Sequence, residues 1–279
     1  MMQAPPRSIM TLDAYQYKAK LLVKDYLLAD SYIPYTSLLG GIFISKMVYD
    51  LTELLSSYYY IGYSSLTKTQ RIEWNNRGMS SVHAIFISAI SIYLVFISNM
   101  FSDNRPDGLI ISRSSNLSTF ALGVSVGYFI TDLTMMFWAY PILGGKEYVF
   151  HHFLSVVAVS YSMFSGEGQL YTCMVLISEA TTPAVNLRWI LDTAGMKRSW
   201  LYLVNGSILF LGWLVARILL FFYLFYHVYV HYDQVKQMDI YGLLLVFGVP
   251  SALGIMNMIW FAKILKGLKK TWNSSRRNI

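Results

Sequence analysis

Residues 80–100 read SSVHAIFISAISIYLVFISNM, a run without Asp, Glu, Lys or Arg. About 20 such residues, wound as an α-helix rising ~1.5 Å per residue, cross the ~30 Å hydrocarbon core of a bilayer. Apolar and polar residues do not alternate along it, as AIFISAI (84–90) makes plain, so it is not a strand of a lipid-facing barrel. Six further runs have the same character: Tyr35 to Ser57, Thr119 to Tyr140, Tyr148 to Phe164, Leu170 to Leu191, Leu201 to Val230 and Ile240 to Leu265. LLLVFGV (243–249) in the last is again unalternated. The pattern predicts an all-α fold, a polytopic transmembrane helical bundle of about seven helices.

Composition agrees. Of 279 residues, 55% are hydrophobic and 13% charged, against the ~25% charge of soluble domains. Mean hydropathy is +0.44. Disorder and a soluble globule are both excluded, the first by hydrophobicity and the second by the shortage of charge for a surface. The single cysteine, Cys173, leaves no intramolecular disulfide and no Cys-based zinc site. The net charge of +7 sits beside apolar runs, which suits anionic lipid head groups and not nucleic acid. The 22 tyrosines suit interfacial belts. No signal-peptide pattern precedes Ser37. Residues 1–10 read as a tail, and Thr11 to Asp30 as an amphipathic helix that lies on the membrane surface or packs on the bundle.

Lys and Arg in the connecting segments set the orientation. The N-terminal segment and its alternates hold seven; the opposite set, which includes the C-terminal tail, holds twelve. The richer side is expected in the cytosol and the N-terminus in the lumen. The sequon Asn116-Leu117-Ser118 then faces the lumen, and Asn273-Ser274-Ser275 the cytosol.

Ionisable residues inside apolar runs carry the most information, because an unpaired charge there is costly. Lys46, Asp50 and Glu53 share one helical face of the first run. Asp132 lies in the third, His151 and His152 in the fourth, Glu179 and Arg188 in the fifth, and Arg217 in the sixth. None is expected to face lipid. Two readings stand. Lys46 and Asp50 neutralise each other while Glu53 pairs with Arg217 or Arg188; or the groups line a polar cavity that handles a lipid head group. The adjacent histidines, ~100° apart on a helix, cannot share one face. A hydrogen-bonded pair, a lipid-binding pair, and a general base or transient acyl acceptor all remain open. No metal site is expected, since neighbouring residues share a metal poorly. Pro183 should kink the fifth run beside Glu179. His227 and His231, one turn apart, read as part of a tyrosine-rich interfacial belt.

The stretches RIEWNNRGMSSVHA (71–84), VGYFITDL (126–133), EYVFHHFLSVVAVSYS (147–162) and LISEATTPAVNLRWIL (176–191) resemble the TLC-domain proteins, named for the translocating-chain-associating, Lag1 and neuronal ceroid-lipofuscinosis proteins. The most specific element is HH followed in the next run by E-x-x-T-P-x-x-N-x-R-W. The branch resembled is the transmembrane protein 56-like one, with stretches similar to plant members. The resemblance implies six helices in a TLC domain over 71–265. Around it lie a lumenal tail and amphipathic helix (1–34), a first transmembrane helix with its loop (35–70), and a basic cytosolic tail (266–279).

The resemblance also implies a multi-pass protein of the endoplasmic reticulum or Golgi that binds or senses lipid and contributes to membrane lipid homeostasis. The lipid-binding set is His151, His152, Asp132, Glu179, Asn186, Arg188, Lys46, Asp50 and Arg217. Membrane lipids are the expected partners, nucleic acid is not, and a homo-oligomer is compatible. Two alternatives stand beside this. One is a secretory-pathway cargo or translocation factor. The other is a lipid N- or O-acyltransferase related to ceramide synthase, with His151, His152 and Glu179 catalytic and acyl-CoA as donor; otherwise no cofactor is implied. Ceramide synthases add a downstream H-D-x-x-D motif. Here Ser178, Glu179 and Thr182 stand at its three polar positions. A threonine supplies no carboxylate to orient an imidazole, so the chain departs from ceramide synthesis there.

Overall fold

The structure is a computed structural model that describes residues 20, 21, 23, 30–103, 105 and 108–276, with side chains as far as Lys269. The expected amphipathic helix lies almost wholly outside the described residues. Among those described there is no strand. Seven helical rods run up and down: α1 (Ile33–Tyr59), α2 (Lys68–Ile92, prolonged by a π turn over Tyr93–Ile97), α3 (Asn116–Trp138), α4 (Lys146–Ser165), a broken fifth rod over 169–193, a sixth over 200–230, and α9 (Ile240–Arg276). The fifth comprises α5 (Gln169–Leu176), a 3-10 turn (Ile177–Thr181) and α6 (Thr182–Thr193). The sixth comprises α7 (Trp200–Trp213), a π turn (Leu214–Leu219) and α8 (Leu220–Val230); a short helix, Tyr232–Val235, follows it.

Four rods are long and apolar enough to cross a membrane: Lys68–Ile97, Asn116–Trp138, Trp200–Val230 and Ile240–Lys269. The other three are diluted for visible reasons. Lys46, Asp50 and Glu53 interrupt α1, Lys146 through His152 make the start of α4 polar, and the fifth rod is broken. The chain forms an all-helical membrane bundle.

Local sequence sets the ends of the rods. Thr67 caps α2 and Gln70 reaches back to it; Ser115 and Ser118 do the same for α3. Gly166 closes α4 at φ +76° and Gly168 opens α5 at φ +66°. Both lie in the left-handed region that side chains avoid, so the α4–α5 connection turns within three residues, 166–168. Pro183 sits in the first turn of α6, where its missing N–H costs nothing. The expected break beside Glu179 is therefore present, as a 3-10 turn joining two helices.

The contact that places the site is the one between α1 and α3. Ser37, Gly41 and Ser45 recur every four residues and are the buried positions of α1's inner stripe. They meet Gly123 and Gly127, a G-x-x-x-G pair. A Cβ at Gly127 would strike the backbone of Leu38, and one at Gly41 the carbonyl of Val124. Without a hydrophobic drive between helices in lipid, such close backbone approach supplies the dispersion contact that holds two rods together. Around this seam Leu122, Val126 and Phe129 of α3 pack with Met79 and Ile87 of α2 and Val159 of α4.

The seam gives a direct test. Gly127→Ile should destabilise the protein by about 1–3 kcal/mol, the usual range for overpacking, as a lower midpoint in detergent thermal unfolding. Gly40→Ala, whose added Cβ meets nothing within 4 Å, should leave the midpoint unchanged.

Candidate functional site

The loops after α1, α3 and α6, together with the last turns of α9, gather at one end of the bundle, since successive rods run antiparallel. It is the end carrying Lys68, Lys146, Lys197 and Arg198. A cavity of about 360 Å³ opens in this half. The end of α3 contributes Asp132 to its wall, the start of α4 contributes His151 and His152, and the start of α2 contributes Asn76 and Arg77. Glu179 comes from the 3-10 turn and Arg217 from the π turn. Both charged groups thus ride on irregular backbone, which helices use where a side chain must leave the regular repeat.

Two imidazole–carboxylate couples stand side by side. His152 Nδ1 lies 3.1 Å from Asp132 Oδ2, and Asn76 Nδ2 donates to Asp132 Oδ1. His151 Nε2 lies 3.9 Å from Glu179 Oε1, an oxygen that Arg217 Nη2 approaches at 3.7 Å. Thr182 donates its hydroxyl to Glu179 Oε2 at 2.7 Å. Arg217 in turn donates from Nε to Thr181 Oγ1 at 2.8 Å and from Nη1 to Asn257 Oδ1 at 3.3 Å, and lies over the Trp213 ring. The rings of His151 and His152 are 5.4 Å apart and nearly perpendicular, so the two point to different carboxylates. Each Nδ1 is buried without an aligned hydrogen bond; for His152 the short approach to Asp132 is an ion-pair contact whose angle is poor. The Nδ1 of His151 is thereby left to accept from or donate to an occupant.

At the mouth, Arg77 pairs with Glu73 at 2.6 Å and donates to Asn186 Oδ1 at 3.0 Å, while Asn186 Nδ2 donates to the Arg77 carbonyl and to Ser81. Tyr148 stacks on Trp260, 5.5 Å between centroids.

Of the residues singled out from sequence, His151, His152, Asp132, Glu179, Asn186 and Arg217 all line this one cavity. Three do not. Lys46 and Asp50 pair with each other at 2.5 Å, as the first of the two readings has it, but on an outward face of α1, 67% and 55% exposed, so their place in the lipid-binding set is corrected. The reason is geometric. They lie roughly 160° round the helix from the stripe of Ser37, Gly41 and Ser45 that faces the bundle. Glu53 accepts from Asn75, not from either arginine. Arg188 is also corrected: its guanidinium lies 4.2 Å above the Tyr202 ring, away from the cavity. His227 and His231 stack at 4.1 Å beside Tyr171 and Tyr223, with His231 Nε2 3.0 Å from Asp103. Among the described residues no group of three His, Cys, Asp or Glu is placed to hold a metal.

Sequence reasoning missed Asn76, Arg77, Tyr148 and Asn257. The first two lie in the quoted stretch 71–84, one to two turns before an uninterrupted apolar run, and a helical projection extended backwards would have set Asn76 on the face of Met79 and His83.

Comparison with known proteins follows from the same residues. A family model for the TLC domain matches residues 73–266. TLC domain-containing protein 4-B of Xenopus laevis is 29% identical over 215 residues, 75% of this chain and 79% of that protein. Human TLC domain-containing protein 4 is 24% identical over 242 residues, 84% and 90% of the two chains. TLC domain-containing protein 2 of Danio rerio is 26% identical over 146 residues, 52% and 57% of the two chains. None of these three carries the transmembrane protein 56 name or comes from a plant, so that narrower placement is left to the sequence resemblance alone. No solved structure matches the chain.

The buried Glu179–Arg217 contact yields a second test. Glu179→Ala strands the arginine and should cost about 3–5 kcal/mol, whereas Glu179→Leu combined with Arg217→Met should recover most of that loss. Unfolding midpoints of the single and double variants decide it.

Proposed function

Because the chain belongs to the TLC-domain family, we propose that it binds the polar group of a membrane lipid in the cavity around His151 and His152, and so contributes to membrane lipid homeostasis. The observation that carries this reading is the convergence of Asp132, His151, His152, Glu179 and Arg217 on one cavity. Charges gathered inside an apolar bundle mark a functional site by default, since evolution has easier ways to fill a core. The volume, about 360 Å³, is within the usual range for small-molecule sites. Arg77, Arg217 and Lys263 offer cations to a phosphate or carboxylate, and the imidazoles offer donors and acceptors to hydroxyls and amides. Met136, Val185, Leu209 and Ile264 supply apolar wall to the first atoms of a chain.

One observation favours a second reading, acyl transfer. The missing downstream carboxylate at Thr182 weighs against chemistry, yet His152 has a carboxylate of its own in Asp132, from a different rod. In that reading the imidazole takes the proton of an incoming lipid amine or alcohol, which attacks the thioester carbonyl of acyl-CoA and expels the thiol. The narrower transmembrane protein 56-like branch and residence in the endoplasmic reticulum or Golgi belong to the same proposal, as does the orientation with the cavity's end toward the cytosol.

Two measurements test these statements. Protein in nanodiscs, extracted and analysed by mass spectrometry, should retain specific lipid, and Arg217→Gln or His152→Ala should reduce that retention severalfold. Retention equal to that of an unrelated bundle overturns the binding reading; turnover of acyl-CoA that His152→Ala abolishes replaces it with the second. For orientation, a C-terminal tag should be digested by protease added outside intact microsomes. A glycan on Asn273 contradicts the assignment.

A further inference from the structure

A second void lies between α1, α2 and α3. It measures about 140 Å³ and is almost wholly apolar, with Val48, Met79, Phe86 and Val124 in its wall. At its rim Ile44, Val82 and Phe120 are among the large apolar side chains left exposed by the bundle. One wall is α1, which precedes the residues matched by the family model. This void is therefore not part of the site described above.

Three of its lining side chains carry polar atoms: Ser45, Tyr128 and His83. His83 is 93% buried and lines the void, and neither ring nitrogen has a hydrogen-bond partner. Its ring lies flat on Tyr128, 3.8 Å between centroids at 12°, and edge-on to Phe129. Stacking fixes the plane of the imidazole but leaves both nitrogens unsatisfied. Buried polar groups are rarely left so. An ordered water needs two to four polar partners, and apart from Ser45 and Tyr128 the rest of the wall is hydrocarbon.

We propose that this void is a lipid-tail site, entered sideways from the bilayer, that takes a hydrocarbon chain bearing a hydroxyl on one of its first carbons. Three observations select that ligand. The rim is apolar and outward-facing, so the supply is the membrane interior. His83 is the fourth residue of the charge-free run 80–100, ~5 Å inside its start at ~1.5 Å per residue, level with the first carbons of a chain. A neutral imidazole presents one donor and one acceptor, and a hydroxyl is the smallest group on a chain that can answer either. The size fits a segment of a chain and not a whole lipid, since a cavity of ~150 Å³ holds about one benzene. The remainder of the lipid lies outside the rim. Tyr128 also borders the polar cavity, so the two sites share one ring as a wall, but the tail site does not depend on what occupies the other.

The test uses the full chain in detergent, exchanged with equal amounts of phosphatidylcholine carrying stearoyl or 3-hydroxystearoyl chains, and read by native mass spectrometry. One extra hydrogen bond should enrich the hydroxylated lipid about three- to tenfold. His83→Phe keeps the stack on Tyr128 and removes both nitrogens; it should bind the two lipids equally. Val82→Trp, which fills the rim, should also lose the preference, and it serves where His83→Phe folds poorly. The hydroxylated lipid should raise the unfolding midpoint of the wild type and not of His83→Phe. Equal retention of the two lipids by the wild type overturns the proposal, as does a preference that survives either substitution.

Discussion

A carboxylate and a guanidinium inside a membrane bundle cannot be left to solvent, and the meeting of Glu179 with Arg217 is where this chain resolves that difficulty. Arg217 is buried and the Glu179 side chain is only 12% exposed, and each is carried on a distorted turn. The cost of dehydrating them is recovered only if they meet with their remaining hydrogen-bonding capacity filled. Thr182 answers the carboxylate; Thr181, Asn257 and the face of Trp213 answer the guanidinium. These partners come from the fifth rod, the sixth and α9. One polar contact thereby fixes the relative height of three helices that offer one another little besides interchangeable apolar surface.

The other side of the cavity is set by shape. Gly123 and Gly127 let α1 press against α3, and α3 carries Asp132 to His152. Asn76 of α2 holds the second oxygen of that carboxylate. Small residues on one rod thus determine where a charged group on another can stand. The polar half and the close-packed half meet at the histidine pair, whose two rings turn outward from a single helix to two different carboxylates.

Much of the fold was readable in the residues. The seven apolar runs correspond to the seven rods among the described residues, because lipid leaves the backbone only a helix or a closed barrel and the runs lack the alternation of a barrel. The break at Pro183 was legible for the same reason. Site residues were legible where they interrupt an apolar run, as Asp132, Glu179 and Arg217 do. The cavity reading failed where a charge has an exit. Lys46 and Asp50 satisfy each other one turn apart on an outer face, and Arg188 covers a tyrosine ring. Which face of a rod turns inward depends on its neighbours: for α1 that choice was made by Ser37, Gly41 and Ser45, whose small size carries no obvious polar signal. The extra partner of His152 was hidden as well, since Asp132 and His152 are brought together only by the packing of α3 on α4.

The π turn at Leu214–Leu219 has an effect on the whole of the sixth rod. Such a turn holds about one residue more than an α-helical turn, and each residue advances the screw by ~100°. Everything beyond it, including Phe221, Leu224 and Val228 with their buried faces, is therefore out of phase with the stretch from Trp200 to Trp213. The two stretches are keyed separately, one to the polar chamber and one to the apolar far end. Losing a single amino acid at that point would straighten the screw and bring the halves into one register, at the expense of whichever set of neighbours was left facing the wrong way.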